Sequence, residues 1–400
     1  MIGAILTRRE LTAWTVALLL VAALLVGVGF TSDDPDSALY ADLSARLAAG
    51  PVERWIAPEW WGNWDHEGLF REHPAGVFLL PTLLGALGLP GVQAAYIVGV
   101  ATALVSLVLI AAAIGRISSP ADGRAALVLL QLMPLAFIFR IRANHEYPML
   151  LCLVIAVIGI ELARRSWRWI WITPVALTTA MLVKAAFVAV PLVAIGWWML
   201  LDPLRAGGSA QRQVVALALA MGLMVATAIA YDAVYVRLTG ESFWGGYWAR
   251  QMAPLSIGVQ AEGRPGVLHH LGFYALRMLW HPAPWSFALL AGAWRTRGRW
   301  TAWWNREDDT RRRALVFAAG FAVTTVLMLS MASRFAERYI FSPNYALAAA
   351  GIVVGLHTWP GLRRAIERLD ARVPALPIVC WLLLILGRLA LGPVLPRITD

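Results

Sequence analysis

Three carboxylates stand close together where the first apolar segment of the chain ends. Asp33, Asp34 and Asp36 follow Phe30 after only two polar residues. Clustered carboxylates repel one another, so their presence suggests a use, such as taking a proton from a substrate or holding a cation. We therefore treat the three aspartates as candidate catalytic bases. The alternative is a solvated loop in which Asp36 caps the next helix by accepting bonds from its free N–H groups.

Three cationic side chains are candidates for binding a phosphate group. Lys184 is the only lysine in a chain that has 33 arginines, and it lies between two apolar segments. Arg142 and Arg338 each lie in a short turn between apolar segments. Such cations bind phosphate oxygens and neutralise the charge that grows on a leaving phosphate. Two other interpretations stay open: Lys184 extends to lipid headgroups, and Arg142 pairs with Glu146 one helical turn later.

Acidic and histidine side chains near these cations could complete the site. Glu146 and His145 share the turn that carries Arg142, and either could orient a catalytic base. Carboxylates also bind divalent metal ions, so Asp34, Asp36 and Glu146 are candidate metal ligands. The sequence permits a divalent metal ion without requiring it, and it indicates no other cofactor.

The composition is that of a protein that crosses a membrane several times. The chain is 60% hydrophobic over 400 residues, with a mean hydropathy of +0.65, far above a soluble domain. We predict an all-α polytopic membrane protein with about eleven transmembrane helices. The predicted segments are 11–30, 92–115, 123–141, 147–163, 169–183, 185–201, 213–235, 268–292, 314–333, 339–357 and 376–395. Both cysteines lie in apolar segments, so neither a disulfide nor a cysteine metal site is predicted.

The distribution of arginine predicts the orientation in the membrane. With the N-terminus in the cytoplasm, 20 of the 34 basic residues fall on the cytoplasmic side, as the positive-inside rule requires. Six of the seven histidines and the long segments 31–91 and 236–267 fall on the other side. We therefore expect a multi-pass protein of the cell (inner) membrane whose outer loops carry the site. The net charge of +10 then reflects topology and contact with membrane lipids, and no nucleic-acid partner is predicted.

Two outer segments are predicted to lie at the membrane surface without crossing it. Leu39, Leu43 and Leu47 recur at helical spacing, which predicts an amphipathic helix over 36–48. The apolar stretch 75–89 is too short to span comfortably, so we expect a shallow helix packed at the outer surface.

The whole pattern resembles the GT-C membrane glycosyltransferases, in particular the bacterial branch related to aminoarabinose transferase and the protein O-mannosyltransferases. The resemblance extends from Asp33 to about His357. In that family an acidic pair precedes a tyrosine of an interfacial helix, and here Asp36 precedes Tyr40 in this way. Ser37 stands where the family commonly has a glutamate.

Further family motifs have counterparts along the chain. The Lys-Pro-Pro of the family is similar to His73-Pro74-Ala75, which lacks the fixed positive charge. Its acid after the third helix corresponds to Glu146, and its Thr-Lys-Gly is similar to Val183-Lys184-Ala185. Arg338 and Tyr339 resemble its late Arg-x-x-Tyr-x-x-Pro region.

The resemblance implies a GT-C fold and an inverting transfer of a sugar from a polyprenyl-phosphate donor on the outer face. One of Asp33, Asp34 and Asp36 would take the proton of the acceptor, and the sequence leaves open which. The donor phosphate would be bound by Lys184, Arg142 and Arg338. Supporting roles fall to His73, His145, Glu146, Tyr40 and Tyr339.

The resemblance also implies the domain organisation. We expect a single transmembrane GT-C-like domain over 1–400, capped by the outer loops 31–91 and 236–267, without a soluble C-terminal domain. The acceptor, whether lipid, glycan or protein, is not indicated. A transporter or flippase of lipid-linked intermediates and a non-catalytic membrane assembly protein are the alternatives. A transporter would need paired charges deep in the membrane, and only Asp232 and Arg388 come close to that position.

Overall fold

The computed structural model describes residues 3, 5–32, 34–60, 68–201, 208–253, 266–296, 305, 309–332, 335–373 and 375–391. Within these residues the secondary structure is helical, apart from one isolated bridge between Glu59 and Leu69. The predicted all-α class is therefore confirmed. Of the predicted site residues, Asp33 lies outside the described part of the chain.

Seventeen α-helices organise the described residues. They are α1 Arg8–Gly27, α2 Pro35–Ala49, α3 Gly76–Ala86, α4 Gly91–Ile117, α5 Pro120–Leu129, α6 Pro134–Ile138, α7 Glu146–Arg165, α8 Ile172–Lys184, α9 Ala189–Leu201, α10 Ala210–Thr239, α11 Phe243–Tyr247, α12 Val267–Trp280, α13 Trp285–Thr296, α14 Asp309–Ser330, α15 Phe341–Thr358, α16 Pro360–Arg372 and α17 Leu376–Leu391. Short 3-10 turns join several of them, among them Ala185–Val188 and Glu337–Ile340.

Seven helical segments of the described chain are long and apolar enough to cross a membrane. An eighth is added if the bent pair α16 and α17 counts as one span. The seven are Arg8–Gly27, Gly91–Ile117, Glu146–Arg165, Trp167–Leu201, Ala210–Thr239, Asp309–Ser330 and Glu337–Thr358. A polytopic membrane protein is thus confirmed, whereas the predicted number of about eleven spans is not.

Prolines interrupt two of the predicted spans. The segment 123–141 is divided because Met133, which precedes Pro134, adopts an extended conformation with ψ of 141°. A residue before proline avoids the helical conformation because the proline ring clashes with its backbone. The segment 268–292 is divided between α12 and α13, where Pro282 and Pro284 provide no backbone N–H for a continuous helix.

The apolar segment Trp167–Leu201 folds back on itself. A Cβ atom at Gly159 would meet Ile172, and the Trp198 indole lies 3.5 Å from Glu161, so both ends of the segment lie near one end of α7. Lys184, in its middle, lies instead beside Glu146 at the other end of α7. The helices α8 and α9 therefore run antiparallel and divide near residue 185, where the sequence also divides 169–183 from 185–201, but each has only 13 residues.

The charged loops separate to the two ends of the helical bundle. Arg124 contacts both Glu10 and Asp370, and the ring of His357 lies 2.8 Å from the guanidinium of Arg311. These residues belong to the loops predicted to be cytoplasmic, and we call this the arginine-rich end. The opposite end, which we call the site end, holds α2, α3 and the candidate site residues.

The two predicted surface helices are present at the site end. On α2, Leu39, Leu43 and Leu47 are buried, as the amphipathic pattern predicts. Eleven residues of α3 extend only about 16 Å, which is too short to cross the roughly 30 Å hydrocarbon core of a membrane. Both helices pack on the first turns of α4 and bring the start of α2 toward the turn between α6 and α7.

Candidate active site

Asp34 caps the first turn of α2. Its Oδ2 accepts a hydrogen bond from the backbone N–H of Ser37 (3.0 Å) and another from the Ser37 hydroxyl (2.6 Å). Its Oδ1 lies 3.3 Å from the Arg142 guanidinium. The alternative that Asp36 is the cap is therefore wrong, because Pro35 begins the helix and leaves Asp34 at the capping position.

Asp36 lies in the first turn of α2 and contacts the guanidinium of Arg338. The Asp36 side chain is 31% exposed, against 12% for Asp34. Arg338 reaches it from the 3-10 turn Glu337–Ile340 at the start of α15. The two described aspartates thus differ: Asp34 is enclosed by helix-capping bonds, whereas Asp36 faces a more open space.

Lys184 is buried at the end of α8, with only 4% of its surface exposed. Its Nζ lies 3.3 Å from the Glu146 carboxylate and 4.3 Å from the centre of the Phe187 ring. The interpretation that Lys184 extends to headgroups is therefore wrong. The pairing of Arg142 with Glu146 is not observed either, because Arg142 turns to Asp34 and Glu146 to Lys184.

Two histidines and a tyrosine pack beside Glu146. The ring of His145 lies 4.9 Å from that of His73 and 5.7 Å from that of Tyr40, and its Nε2 lies 3.1 Å from Glu146. Burial lowers the pKa of both histidines, most strongly that of His73, and raises the pKa of Tyr40 well above its usual value. His73 is therefore neutral near pH 7 and supplies no fixed positive charge where the family has a lysine.

Candidate residues from three separate segments line one small cavity. Glu146 and His145 come from the start of α7, Lys184 from the end of α8, and Arg338 and Tyr339 from the turn before α15. Lys184 Nζ lies 5.4 Å from the centre of the Tyr339 ring. The cations Lys184 and Arg338 thus line one cavity, and Asp36 contacts the second of them. Arg142 is not among its lining residues.

The three predicted metal ligands each contact a cation. Asp34 contacts Arg142, Asp36 contacts Arg338, and Glu146 contacts Lys184. Among the residues that the structure describes, no group of three His, Cys, Asp or Glu side chains is placed to hold a metal ion. The structure therefore does not bring Asp34, Asp36 and Glu146 together as one set of ligands.

Sequence reasoning missed a second polar cluster that supports the turn carrying Arg338. The Glu337 carboxylate lies 3.5 Å from Arg277 and 3.4 Å from His281, and His281 lies 3.3 Å from the side-chain amide of Asn344. These residues are separated by some sixty positions in the chain, so no local pattern relates them. The adjacency of Glu337 to Arg338 was the one available signal.

Sequence reasoning also missed the role of Ser37. Its hydroxyl oxygen accepts a hydrogen bond of 3.2 Å from the backbone N–H of Ala143. Ser37 therefore ties α2 to the turn that carries Arg142, in addition to its bonds to Asp34. The serine that stands in place of the glutamate common in the family thus connects two elements of the site.

Comparisons with known proteins bear on the fold. Residues 72–231 match the sequence profile of the dolichyl-phosphate-mannose-protein mannosyltransferase family. The crystal structure of ArnT from Cupriavidus metallidurans bound to undecaprenyl phosphate superposes with a TM-score of 0.65 at 14% identity, covering 96% of this chain and 78% of that one. Its apo structure gives 0.61 at 16% identity, with the same coverage. No curated protein sequence matches. The predicted GT-C fold and the resemblance to the GT-C membrane glycosyltransferases are confirmed.

Proposed function

We propose that this protein is an inverting glycosyltransferase that uses a polyprenyl-phosphate sugar donor on the outer face of the cell membrane. The observation that carries the proposal is the cavity at the site end, where Lys184 and Arg338 converge beside carboxylates. The shared fold supports it, since the structure of ArnT with the same fold holds undecaprenyl phosphate.

The donor phosphate is assigned to Lys184 and Arg338. A phosphate ester is a poor leaving group unless the charge that develops on it is neutralised, and a cation in a water-poor site neutralises it most effectively. Lys184 is buried and oriented by Glu146, so it needs little rearrangement to meet that charge. Arg142 is given a positioning role, because its guanidinium contacts the cap residue Asp34.

Asp36 is assigned as the catalytic base in preference to Asp34. Both Asp34 oxygens have partners: one accepts two bonds from Ser37, and the other lies against Arg142. Both carboxylate oxygens of Asp34 are thus already engaged within the protein, which leaves neither free to meet an acceptor hydroxyl. Asp36 lies on the open side of α2 and has one described partner, Arg338.

The transfer then follows as a single displacement. The acceptor hydroxyl or amine gives its proton to the Asp36 carboxylate, and its electron pair forms a bond to the anomeric carbon. The bond from that carbon to the phosphate oxygen breaks, and its electron pair leaves with the polyprenyl phosphate. Attack opposite the leaving group inverts the anomeric configuration. Proton transfer to a positioned base contributes typically 10²–10⁴-fold to the rate.

The contact between Asp36 and Arg338 fits the state before the donor binds. One guanidinium cannot fully neutralise both a carboxylate and a phosphate. The donor phosphate is a diester with one negative charge, and it gains a second as its bond to the sugar breaks, so the need for Arg338 at the phosphate grows during transfer. Binding of the donor would draw Arg338 toward the phosphate and release Asp36 to act as the base. The 34% exposure of the Arg338 side chain leaves it room for that movement.

Release of carrier phosphate from a panel of radiolabelled polyprenyl-phosphate sugars tests the proposal. The purified protein in lipid nanodiscs would be assayed with cell-envelope extract as the source of acceptor. We expect Asp36→Asn to lose at least about a hundredfold in rate while the protein still inserts. The matched control is Asp42→Asn, on the same helix, whose carboxylate lies 3.8 Å from Arg46 at the surface.

Two results of this assay would contradict the proposal. Equal rates for Asp36→Asn and Asp42→Asn would remove Asp36 from the mechanism. Donor movement across the bilayer without release of carrier phosphate would identify a flippase instead.

A further inference from the structure

A second cavity lies inside the helical bundle and adjoins the site cavity at Ser342, which lines both. It is enclosed by α4, α7, α14 and α15 and has a volume of about 290 Å³. This volume is close to the lower end of the roughly 300–1,000 Å³ typical of ligand pockets. Its walls are almost entirely aliphatic and aromatic side chains, among them Val157, Phe317 and Ala349. Apolar walls of this kind fit a hydrocarbon chain.

The cavity is long and follows the direction of the helices. Its lining extends along α7 from Leu150 to Arg165. The rise from the first of these residues to the last is about 22 Å, which exceeds half the roughly 30 Å hydrocarbon core of a bilayer. A single acyl chain that enters from one leaflet therefore fits within this length.

Aromatic residues lie between this cavity and the candidate active site. Tyr345 lines the cavity, and its hydroxyl is 2.8 Å from that of Tyr147. The Tyr345 ring also lies 5.2 Å from the ring of Phe341, which lines the site cavity. All three side chains are buried. These aromatic side chains fill most of the space between the two cavities, and the charged end of the second cavity is the arginine-rich one.

Three arginines line the cavity at that end. Arg116 is exposed, Arg165 lies 2.9 Å from Glu161, and Arg311 contacts His357. Among the described residues that line the cavity, three are arginines and one, Glu161, is an acid, so this lining is positive at its arginine-rich end. Arginine binds phosphate oxygens through its forked N–H groups, and cations near a membrane surface attract anionic headgroups. The headgroup that fits is therefore an anionic one.

We propose that this cavity binds one acyl chain of an anionic phospholipid from the leaflet at the arginine-rich end, with the lipid phosphate against Arg116, Arg165 and Arg311. The site is a second lipid site, distinct from the place assigned to the donor phosphate. It stands on the cavity and its charges, and it does not depend on the proposed transferase activity.

Photolabelling of the unmodified protein tests the proposal without any variant. The full chain in nanodiscs would receive phosphatidylglycerol or phosphatidylcholine, each with the same diazirine-bearing acyl chain, and adducts would be mapped by mass spectrometry. We expect adducts at Val157 and Ala349, at least about tenfold more with phosphatidylglycerol because several arginines act together. Adducts confined to outward-facing residues such as Leu19 and Leu383, or equal labelling by both lipids, would overturn the proposal.

Two competition measurements show whether the bound molecule is a phospholipid, the donor lipid or a free phosphate ion. Excess unlabelled polyprenyl phosphate should leave the adducts at Ala349 unchanged, and their loss would assign the cavity to the donor lipid instead. Inorganic phosphate at the same concentration should also leave them unchanged, because the chain contributes to binding.

Variants then connect the lipid to the cavity. Native mass spectrometry should detect one retained anionic phospholipid on the unmodified protein and at least about tenfold less on Ala349→Phe, whose ring fills the cavity, and on Arg116→Gln. The control is Arg368→Gln, at an exposed arginine of the same end, which should retain the lipid. If Arg368→Gln lost as much lipid as Arg116→Gln, the lipid would be held by general surface charge and not by this cavity.

Discussion

Charge pairing is the main feature of the site at the level of single residues. Glu146 and Lys184 form a buried pair, whereas the pair of Asp36 and Arg338 is partly exposed. Removing one partner of a buried pair costs roughly 3–5 kcal/mol, because the other charge is left without compensation. An exposed pair contributes only about 0–1 kcal/mol, so it can open during function. The pair of Glu146 and Lys184 therefore fixes the positions of the site residues, whereas the pair of Asp36 and Arg338 is suited to exchange partners.

Substitution of Lys184 tests the assignment of the donor phosphate. We expect Lys184→Met to weaken donor binding and slow transfer by about 10–100-fold, since a hydrogen bond to a charged group contributes roughly 1.5–3 kcal/mol. Lys184→Arg should recover only part of both, because the forked guanidinium does not match a cavity shaped around a compact ammonium. Binding of a short-chain prenyl phosphate and the transfer rate would be measured side by side. If Lys184→Arg equals the unmodified protein in both, the assignment is wrong.

The buried histidine pair predicts how stability depends on pH. Burial lowers the pKa of His73 and His145 in the folded state below the value of about 6.5 that histidine has in an unfolded chain. Below pH 6.5 the unfolded chain therefore binds protons that the folded protein does not, and stability falls as the pH falls. We expect the melting temperature to drop between pH 7.5 and pH 5, and to drop less in His73→Phe.

The exposed His269 provides the control for this experiment. His269→Gln should retain the pH dependence of the unmodified protein. A melting temperature that is constant from pH 7.5 to pH 5, or a His73→Phe variant with an undiminished drop, would show that these histidines are protonated in the folded state.

The types of the site residues could be predicted from the sequence, but their partners could not. Lys184 is conspicuous as the only lysine, and Asp36 as part of an acidic cluster. Local spacing suggested that Arg142 pairs with Glu146, four residues later, yet α2 offers Arg142 the Asp34 carboxylate instead. Pairs that join residues a hundred or more positions apart depend on helix packing, which spacing along one segment does not encode.

At the level of helices, the two surface helices were predicted more accurately than the spans. The amphipathic pattern gave α2 within a few residues, because one face of it packs on α3 and α4. Hydropathy overestimated the continuity of the helix at 123–141, where the apolar run continues although the extended Met133 before Pro134 separates α5 from α6. Length and hydropathy indicate whether a segment is stable in a membrane, whereas the positions of prolines limit where its backbone can be helical.

The close approach of α4 to the turn between α6 and α7 predicts the effect of adding one methyl group to a glycine. A Cβ atom at Gly99 on α4 would overlap the backbone carbonyl oxygen of Arg142. We expect Gly99→Ala to displace the turn that carries Arg142, to cost about 1–3 kcal/mol of stability, and to lower the transfer rate. Thermal unfolding and transfer assays would measure both effects.

The control for this substitution is Gly222→Ala on α10. Nothing lies within 4 Å of the position that its Cβ would take. Alanine is the better helix former, so this variant should be neutral or slightly more stable. Equal behaviour of the two variants would show that the contact between α4 and the turn is unimportant.

At the scale of the whole molecule, the separation of charge predicts the orientation in the membrane. The arginine-rich end gathers loops that are far apart in sequence, for example those of Arg124 and Asp370. Positive loops remain in the cytoplasm during insertion, so the site end should face outward. In a Cys380→Ser background, an impermeant thiol reagent applied to intact cells should label Val52→Cys and leave Gln211→Cys unlabelled.

These two positions are chosen by exposure. Val52 is exposed at the site end, and Gln211 is exposed near the start of α10 at the other end. Cys152 is buried and needs no replacement. Labelling of Gln211→Cys alone would invert the orientation and place the candidate active site in the cytoplasm.

The candidate active site exists only when the entire bundle is assembled. Asp36 and Arg338 are some three hundred residues apart, and the cavity between them also needs α7 and α8. The sequence could indicate the fold, because composition, charge and family motifs each extend over the chain. The meeting of these segments at one cavity follows from helix packing, which the sequence motifs alone do not determine.

A structure of the protein with a bound short-chain prenyl phosphate tests the central claim most directly. We predict phosphate density between Lys184 and Arg338, with the Arg338 guanidinium turned to the phosphate and the Asp36 carboxylate released toward the acceptor side. Phosphate bound elsewhere at the site end, or an Arg338 that stays on Asp36 while the phosphate is present, would contradict the assignment of donor site and base.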